Sequence, residues 1–315
     1  MMKPVEVEAD ERPRWVSILR ILFTMIVCAT VAGAILVRNA IKPRALPPPP
    51  LPVPNGHDDI VRAGLSIQDQ VPNLGIFRTA KPEELKSWVA KNAEALKVGR
   101  EGLKKHSRVA VVYEQDLSKG FENNSACRAF SRLLLAEAEI ALIEKRPGDA
   151  ARSYLDLLRL SEATGRGGLM IDAMTGFAVE TQALNGLGRV REALPAEDAS
   201  KALDTIRDVD VRRETWPEIL NTEAYWAEKS VPWMIRATLR ISGLEKKLRA
   251  PADAAFLKAH RRTQLTARRL LVAYANRLYE IDNQVEPDDP AQLVPKYLPE
   301  LPKDPETGKP VTQIE

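Results

Sequence analysis

The chain has 315 residues, and its basic and acidic residues nearly balance, which leaves a net charge of +3. This balance argues against a nucleic-acid-binding domain, which needs a concentrated basic surplus, so no nucleic-acid partner is predicted. Aromatic residues make up only 5% of the chain, whereas Ala, Leu, Glu, Lys and Arg are abundant, a composition typical of helical proteins. The two cysteines, Cys28 and Cys127, lie far apart and predict no disulfide framework, so the fold must depend on its hydrophobic core.

An apolar run covers residues 16–37 and is interrupted only by Arg20. A helix of this length spans the roughly 30 Å hydrocarbon core of a bilayer. Arg14 and Trp15 precede the run and Arg38 follows it, and basic and aromatic residues at these positions hold a spanning helix in the interface. The long stem of Arg20 can reach the headgroups from inside the run. The sequence therefore predicts a transmembrane signal anchor at residues 16–37, with the lipid bilayer as its partner.

Two other interpretations of this segment stay open. Residues 32–34, Ala-Gly-Ala, have the small-x-small form that a signal peptidase cleaves, although residues 35–37 continue the apolar run beyond that site. A buried core helix is the other. Basic residues flank the run in equal number, and Arg20 favours an N-terminus inside the cell. We therefore predict a single-pass protein of the cytoplasmic membrane, with a short cytoplasmic tail at residues 1–15 and the main domain outside the cytoplasm.

Residues 38–75 are predicted to form a proline-rich linker between the anchor and the domain. They contain Pro43, Pro47 to Pro50, Pro52 and Pro54. Such a stretch favours the polyproline II conformation, a semi-rigid spacer of roughly 3 Å per residue. A proline-rich ligand for an aromatic-lined groove is the alternative interpretation.

Helical patterns dominate residues 76–209, which we predict to be a helical-hairpin region. Apolar residues recur there at three- and four-residue spacing, and proline, glycine and capping residues divide the pattern into segments. The predicted helices cover residues 82–104, 124–145, 149–160, 169–186 and 197–209. The helix at 124–145 is apolar around most of its circumference and should lie in the centre of the domain. Residues 109–113 (VAVVY) are predicted to be extended chain, because no partner strand is evident.

A long-helix region is predicted at residues 210–282, with helices at 212–229, 232–248 and 252–281. Several of the few aromatic residues gather here, and we expect them to belong to a core: Trp216, Tyr225, Trp226 and Trp233. A basic stretch between Lys258 and Arg269 is predicted to be a solvated helix face.

Residues 130–160 contain a helix, a short Gly148-Asp149 turn and a second helix that begins Ala150-x-x-x-Tyr154. In this arrangement the segment resembles a single tetratricopeptide unit, a helix hairpin of about 34 residues. The resemblance implies that the two helices pack as a hairpin. The predicted fold class is mostly α: a transmembrane helix, a proline-rich stalk, a helical-hairpin domain with a long C-terminal helix, and an extended proline-rich tail.

The extended tail at residues 283–315 includes the run LVPKYLPELPKDPETGKP at 293–310. A long helix followed by a tyrosine-leucine pair, a Leu-Pro-x-Asp-Pro run and a glycine-proline turn resembles the end of the major pseudopilin of type II secretion. The resemblance and the turn-forming residues imply a tail strapped onto the long helix, in which we expect packing residues and a turn at Tyr297, Leu298, Leu301, Asp304 and Gly308. That family binds calcium near this region, but the acidic residues here show no spaced loop of converging oxygens, so no metal is predicted.

Recognised catalytic chemistry is missing from the sequence. His57, His106 and His260 lie far apart and lack zinc-type spacing, and no P-loop, dinucleotide-binding loop or nucleophile elbow is present. No cofactor, metal site or catalytic residue is therefore predicted, and the chain is predicted not to be an enzyme.

As a whole the chain resembles uncharacterised bacterial single-pass membrane-anchored helical proteins. Together these features predict a membrane-tethered helical interaction or scaffold protein of the bacterial cell envelope, whose protein partner the sequence does not identify. An accessory component of a type II secretion or pilus-like apparatus is the alternative, based on the tail. An enzyme with an unrecognised site is the third interpretation.

Overall fold

The computed structural model describes residues 14–69, 81–114 and 118–312, with side chains from Leu22 onward. It is 74% helical, and the described residues form eleven α-helices and no β-strand, which confirms the predicted mostly α fold. The helices are α1 (Arg14–Ile41), α2 (Gly56–Leu65), α3 (Pro82–Lys91), α4 (Ala93–Leu103), α5 (Ser118–Ile143), α6 (Pro147–Gly165), α7 (Met170–Val190), α8 (Ala196–Val211), α9 (Trp216–Ser230), α10 (Trp233–Ile241) and α11 (Leu244–Asn283). Short 3₁₀ helices lie at Arg191–Ala193 and Pro290–Leu293.

The chain divides into two compact units, and each contains two separate stretches of sequence. The anchor unit comprises residues 1–44 and 231–249, and the helical unit comprises residues 45–230 and 250–315. The sequence did not predict that residues 231–249 belong with the anchor. A contact between elements so distant along the chain leaves no local pattern in either of them.

In the anchor unit, α1 is long and apolar enough to cross a membrane by length and composition. Its stretch Leu22–Ile41 has 20 residues and a mean hydropathy of 1.8, and apolar side chains such as Phe23 and Ile26 are exposed. A helix of 20 residues is about 30 Å long, the thickness of a hydrocarbon core. The helix continues past Val37, the predicted end of the span, to Ile41.

The core of the helical unit is built around the α5–α6 hairpin. Phe130, Leu133 and Leu134 of α5 are fully buried, and Tyr154 and Leu158 of α6 are buried beside them. Residues from α2, α3, α4, α7, α8 and α11 join the same hydrophobic cluster. The helix predicted to be central is therefore central, because its apolar residues cover most of its circumference. Burying one such leucine contributes roughly 1.5–3 kcal/mol.

Two glycines allow neighbouring helices to approach the hairpin closely. A Cβ atom on Gly99 of α4 would overlap the ring of Phe130, and one on Gly186 of α7 would overlap the ring of Tyr154. Only a residue without a side chain fits at these two positions. These contacts fix the distances of α4 and α7 from the central pair.

The predicted linker at residues 38–75 is shorter in the structure. Residues 56–65 form α2, and its Ile60 and Ala63 are fully buried in the core. Asn55 caps this helix, because its side-chain Oδ1 accepts a hydrogen bond from the backbone N–H of His57. The surrounding prolines hid this short helix from the sequence analysis. Residues 70–80 lie outside the described part of the chain.

The proline-rich segment is attached to the helical unit, although it was predicted to be a free spacer. Asn221 of α9 accepts a hydrogen bond from the Leu46 N–H at 2.8 Å and donates one to the Leu46 carbonyl at 2.9 Å. An asparagine amide can make this pair of bonds to one backbone residue, as a neighbouring strand would. The segment is therefore held against α9 at Leu46.

Several helix boundaries differ from the predicted ones for local reasons. The helix predicted at 82–104 divides at Asn92, whose side chain donates to the Trp88 carbonyl at 2.9 Å and accepts from the Gln68 N–H at 2.7 Å. Such side-chain bonds compete with the helical ladder. The helix predicted at 232–248 ends at Ile241, because Gly243 has a φ of +68° and reverses the chain into α11.

The aromatic residues near α9 and α10 have separate environments. Trp216 stacks on Phe256 with ring centroids 4.9 Å apart, and the Trp226 ring N–H donates to the Val112 carbonyl at 3.1 Å. Trp233 is 52% exposed. The core prediction was therefore wrong for Trp233, which belongs to the anchor unit and has no core beside it to bury it.

The tail packs against α11 through its apolar residues. Leu298 is 2% exposed, and the Tyr297 hydroxyl donates to the Asp282 carboxylate of α11 at 2.8 Å. Leu301 is partly buried against the core. Arg268, from the stretch predicted to be solvated, donates to the carbonyl of Lys303 at 2.5 Å.

Asp304 and Gly308 form a turn in this tail. The Asp304 carboxylate accepts hydrogen bonds from the backbone N–H groups of Glu306 and Thr307, at 2.7 and 2.9 Å, and these bonds lower its pKa. Gly308 has a φ of +70°, which a residue with a side chain rarely adopts. A single antiparallel bridge joins Lys303 and Pro310 across the turn.

Leu298→Ala is expected to lower the free energy of unfolding by about 2–5 kcal/mol, because it removes buried apolar surface and leaves a cavity. Asp304→Asn should cost much less, since that residue is only partly buried and an amide oxygen can still accept a hydrogen bond. Thermal unfolding of the full chain in detergent measures both effects. Leu65→Ala is the matched control, because Leu65 is 56% exposed. If Leu298→Ala melts like the control, the tail does not contribute to the core.

Candidate functional site

A large polar groove lies on the helical unit between α4, α6 and the end of α8. Its volume is about 1120 Å³, and residues 50–52 of the proline-rich segment form part of its wall. Most of the charged side chains that line it are basic: Arg100, Lys104, Lys105, Arg108, Arg152, Arg159, Arg166 and Arg212. The acidic side chains in the lining are Asp156, Glu162 and Asp208. We call this feature the basic groove.

The sequence of α6 explains why so many charges meet there. Arg152, Asp156 and Arg159 recur at spacings of four and three residues, so they lie on one face of the helix, and Arg166 follows directly after its last residue. The opposite face carries the buried residues that pack into the core, Tyr154, Leu157 and Leu158. Burial of the apolar face therefore directs the charged face outward into the groove.

Two of the three carboxylates of the groove, those of Asp156 and Glu162, lie beneath basic groups, whereas Asp208 is exposed. The side chains of Asp156 and Glu162 are 11% and 18% exposed, whereas those of Arg159 and Arg212 are 42% and 48% exposed. Glu162 is shared by two arginines, at 2.6 Å from Arg166 and 3.2 Å from Arg212. Above Asp156 and Glu162, a ligand that enters the groove consequently meets the guanidinium groups of Arg159 and Arg212 first.

Arg100 connects α4 to both helices of the hairpin. Its Nε donates to Asp156 at 2.8 Å, and its two terminal nitrogens donate to Glu137. Burial opposes the charge on Arg100, but the hydrogen bonds to Glu137 and Asp156 outweigh it and raise the pKa of the guanidinium. This arginine holds the wall of the groove in place and is charged at every accessible pH.

The charges in and around the groove nearly cancel, so an interaction with anions would depend on the orientation of the charges and not on their sum. Beyond the acidic residues of the lining, five others pair with the basic side chains from behind or from the rim: Asp59, Glu101, Glu137, Asp149 and Glu214. The groove and these partners are therefore nearly neutral together. Partly exposed ion pairs are individually weak, so a ligand carboxylate can exchange with them at little cost. Arginine offers five donors in a planar fork, and each arginine here uses only some of them.

A second, smaller feature is the His57 cavity, which has a volume of about 50 Å³ and lies between α2, α5 and residues 109–112. His57 is 3% exposed, and its Nδ1 lies 3.1 Å from the Ala163 carbonyl. Because a carbonyl can only accept, Nδ1 carries the proton and Nε2 is an acceptor. Burial lowers the pKa of His57, although the bond to Ala163 partly opposes this effect.

Other polar groups point into the same cavity. Asn124 donates to Asp172 at 3.0 Å, and burial raises the pKa of that aspartate. His57 Nε2 and Asn124 Oδ1 have no hydrogen-bond partner among the described residues. The Thr164 hydroxyl lies close enough to the Cys127 thiol to lower its pKa and so partly oppose the effect of burial, although it makes no hydrogen bond of good geometry. Burial raises the pKa of Cys127 to about 12, so this thiol is unreactive at neutral pH.

The size of the His57 cavity limits what it can hold. A volume of about 50 Å³ has room for a few water molecules, which commonly satisfy buried polar atoms. Pockets for organic ligands are larger, at roughly 300–1,000 Å³. The cavity therefore has room for water molecules but is smaller than the pockets that hold organic ligands.

The residues singled out from the sequence do not line the basic groove. The predicted tail residues lie near the C-terminal end of the sequence: Tyr297, Leu298, Leu301, Asp304 and Gly308. Arg38 lies in the last turns of α1. Arg14, Trp15 and Arg20 are in α1, but their side chains lie outside the described part of the chain. Within that part, no group of three or more His, Cys, Asp and Glu residues is arranged to hold a metal ion.

The sequence analysis missed the basic groove. The available signal was the row of charges on α6 at helical spacing, but such a row is typical of any solvated helix face. Comparison with protein-family models, with curated proteins and with solved structures finds no match to this chain. Function must therefore be argued from the geometry of the chain itself.

His57→Gln is expected to reduce the pH dependence of stability. The pKa of His57 is lowered in the folded state, so the unfolded chain binds a proton first as the pH falls below 6.5. The stability that this histidine contributes is complete above that pH and declines as the pH falls toward the folded pKa. Glutamine does not titrate. As the pH falls below 6.5, the unfolding free energy of the wild type relative to that of the variant should therefore decrease by up to about 1.4 kcal/mol per pH unit.

Urea unfolding of both proteins in detergent, at about pH 7.5 and about pH 5.5, measures this difference. His260→Gln is the matched comparison, because burial also lowers the pKa of His260. Burial raises the pKa of Asp172 and of Glu214, but both titrate equally in wild type and variant and cancel. An equal difference at the two pH values would contradict a buried neutral His57.

Proposed function

We propose that this protein is a membrane-tethered helical interaction or scaffold protein of the bacterial cell envelope, and that it binds a partner protein through the basic groove. The observation that carries the proposal is the arrangement of the groove itself. Exposed guanidinium groups such as Arg159 and Arg212 lie above largely buried carboxylates. This arrangement suits an acidic ligand that replaces weak ion pairs with bidentate ones.

The proposed ligand is an acidic, extended segment of another protein. The groove has a volume of about 1120 Å³ and a mostly charged lining, whereas small-molecule sites are enclosed and mostly apolar. Aspartate and glutamate side chains match the planar fork of arginine. The near neutrality of the surroundings implies recognition at short range, with a modest contribution from long-range attraction.

The proposal includes no catalytic step. The His57 cavity has room for a few waters only, and the thiol that lines it has a pKa of about 12. In the proposed arrangement, residues 16–37 cross the cytoplasmic membrane once. Arg20 favours an N-terminus inside the cell, which places the helical unit outside the cytoplasm.

An accessory role in a type II secretion or pilus-like apparatus is the second candidate. It is based on the resemblance of the tail to a pseudopilin, and the tail is held against α11 by the bond of Tyr297 to Asp282. The two candidates differ in the partner, since the second requires subunits of a secretion apparatus.

Replacing Arg159 and Arg212 together by Gln should reduce partner capture by about tenfold or more, which corresponds to about 1.4 kcal/mol. Glutamine removes the charge without adding repulsion against Asp156 and Glu162. The full-length protein serves as bait in a detergent extract of native membranes, and captured proteins are quantified by mass spectrometry. Capture by the wild type should also weaken with added salt.

The matched control is Lys201→Gln with Arg262→Gln, which removes the same charge from exposed positions outside the groove. Capture should be unchanged in this control. Equal capture by both double variants would contradict a role for the groove. Recovery of secretion-system subunits by the wild type would favour the second candidate.

Full-length protein should stay in the membrane fraction through a carbonate wash, because α1 would remain in the bilayer. Release of a chain that begins at Ile35 would show a cleaved signal peptide instead. In cells whose outer barrier has been opened, an added protease should digest the helical unit. Protection of the helical unit would reverse the proposed orientation.

A further inference from the structure

Helix α10 exposes an unusual number of large apolar side chains. Trp233, Met234, Ile235 and Ile241 are each between 51% and 61% exposed. Leu248, in the first turns of α11, is 63% exposed. Several large apolar side chains exposed on one short helix of a folded chain indicate an interaction with another apolar phase or partner.

The position of α10 identifies which partner fits. Its Arg240 donates to the carbonyl of Ala40 at 2.8 Å and to the carbonyl of Lys42 at 3.3 Å. Ala237 and Ala40 are both buried where the two helices meet. Within the anchor unit, α10 therefore lies at the C-terminal end of α1, where the apolar stretch ends and a bilayer surface would be.

The degree of exposure matches that of the spanning helix. Leu22, Phe23 and Ile26 of α1, which would face lipid, are 50–70% exposed. The apolar side chains of α10 fall in the same range. Exposed side chains of both helices within one unit are explained together if the same bilayer covers them.

The charges in this segment favour an anionic surface. Residues 231–249 contain five basic residues and one acidic residue: Arg236, Arg240, Lys246, Lys247, Arg249 and Glu245. Arg38, Lys42 and Arg44 add further positive charge at the end of α1, with no acidic residue between them. Basic residues near a membrane of anionic lipids strengthen its binding.

We propose that residues 233–248 form a second membrane contact, an amphipathic segment that lies in the interface of an anionic phospholipid bilayer beside the end of α1. Its apolar side chains enter the boundary between headgroups and acyl chains, and its basic side chains lie at the level of the phosphates. The segment joins the helical unit at both of its ends, after Ser230 and before Ala250. The bilayer would thus hold the helical unit through three chain connections instead of one.

This inference rests on the part of the proposed function in which α1 crosses a membrane, and it is independent of the basic groove. The carbonate wash tests α1 separately, so failure of the anchor and failure of the second contact can be distinguished. A second copy of the chain or another protein on α10 are the competing occupants, and the experiment below separates them from lipid.

The test uses the full-length chain with Cys28→Ala, reconstituted in nanodiscs of phosphatidylcholine and phosphatidylglycerol. Met234→Cys and Ile241→Cys introduce single sites for a nitroxide label, while the fully buried Cys127 is not labelled. Val211→Cys is the reference, because Val211 is 79% exposed on α8 of the helical unit. Collisions of each label with oxygen, which concentrates in lipid, and with a water-soluble nickel chelate are then measured.

The proposal expects labels at residues 234 and 241 to collide severalfold less with the nickel chelate, and more with oxygen, than the label at residue 211. Collisions equal to those at residue 211 would mean that α10 faces water, and would overturn the proposal. Loss of collisions with both reagents would mean that protein covers α10, and would overturn it as well. In nanodiscs without phosphatidylglycerol, the labels at residues 234 and 241 should lie less deeply in the bilayer. An unchanged depth would overturn the role assigned to the basic residues.

Discussion

Burial of α5 is the constraint on which the rest of the helical unit depends. Its apolar residues point in nearly every direction, from Cys127 and Phe130 to Ala141, so other helices must cover it on all sides. Helix α4 can approach α5 closely because Gly99 has no side chain where it contacts the ring of Phe130. Once α5 is enclosed, α6 has one face in the core and the other at the surface, and the basic groove is the space between that outer face, α4 and α8.

The charges of the unit fall into two kinds that follow from their burial. Glu180 and Arg213 have side chains only 4% and 7% exposed, and they bond through two oxygen and two nitrogen atoms. Removing one partner there would leave an unpaired buried charge, so this pair is structural. The pairs of Arg159 and Arg212 are partly exposed and can exchange partners with a ligand. In the proposed function, an anion bound in the groove therefore leaves the core undisturbed.

The two units differ in how far they bury their own apolar side chains. The helical unit buries its apolar residues in its own core, whereas the anchor unit leaves Phe23 and Met234 exposed. In the arrangement that we propose, a bilayer covers these exposed side chains. The proline-rich segment between α1 and α2 is not a free spacer, because Asn221 bonds both polar backbone groups of Leu46. This contact shortens the length of chain that can move between the span and the first helix of the core.

The sequence by itself determined the helical fold, the apolar span and the central position of α5, because each of these follows from the composition or periodicity of one segment. Two features were harder to predict: Asn92 divides a predicted helix through bonds to Gln68, which is 24 residues away in sequence, and α2 lies among prolines. Only the tertiary structure decided the groove and the placement of α10. Both depend on side chains from elements that are distant in sequence, such as Arg100 with Asp156 and Arg240 with Ala40. A local pattern records which face of a helix is apolar, but the neighbour that covers that face is set by the packing of the whole chain.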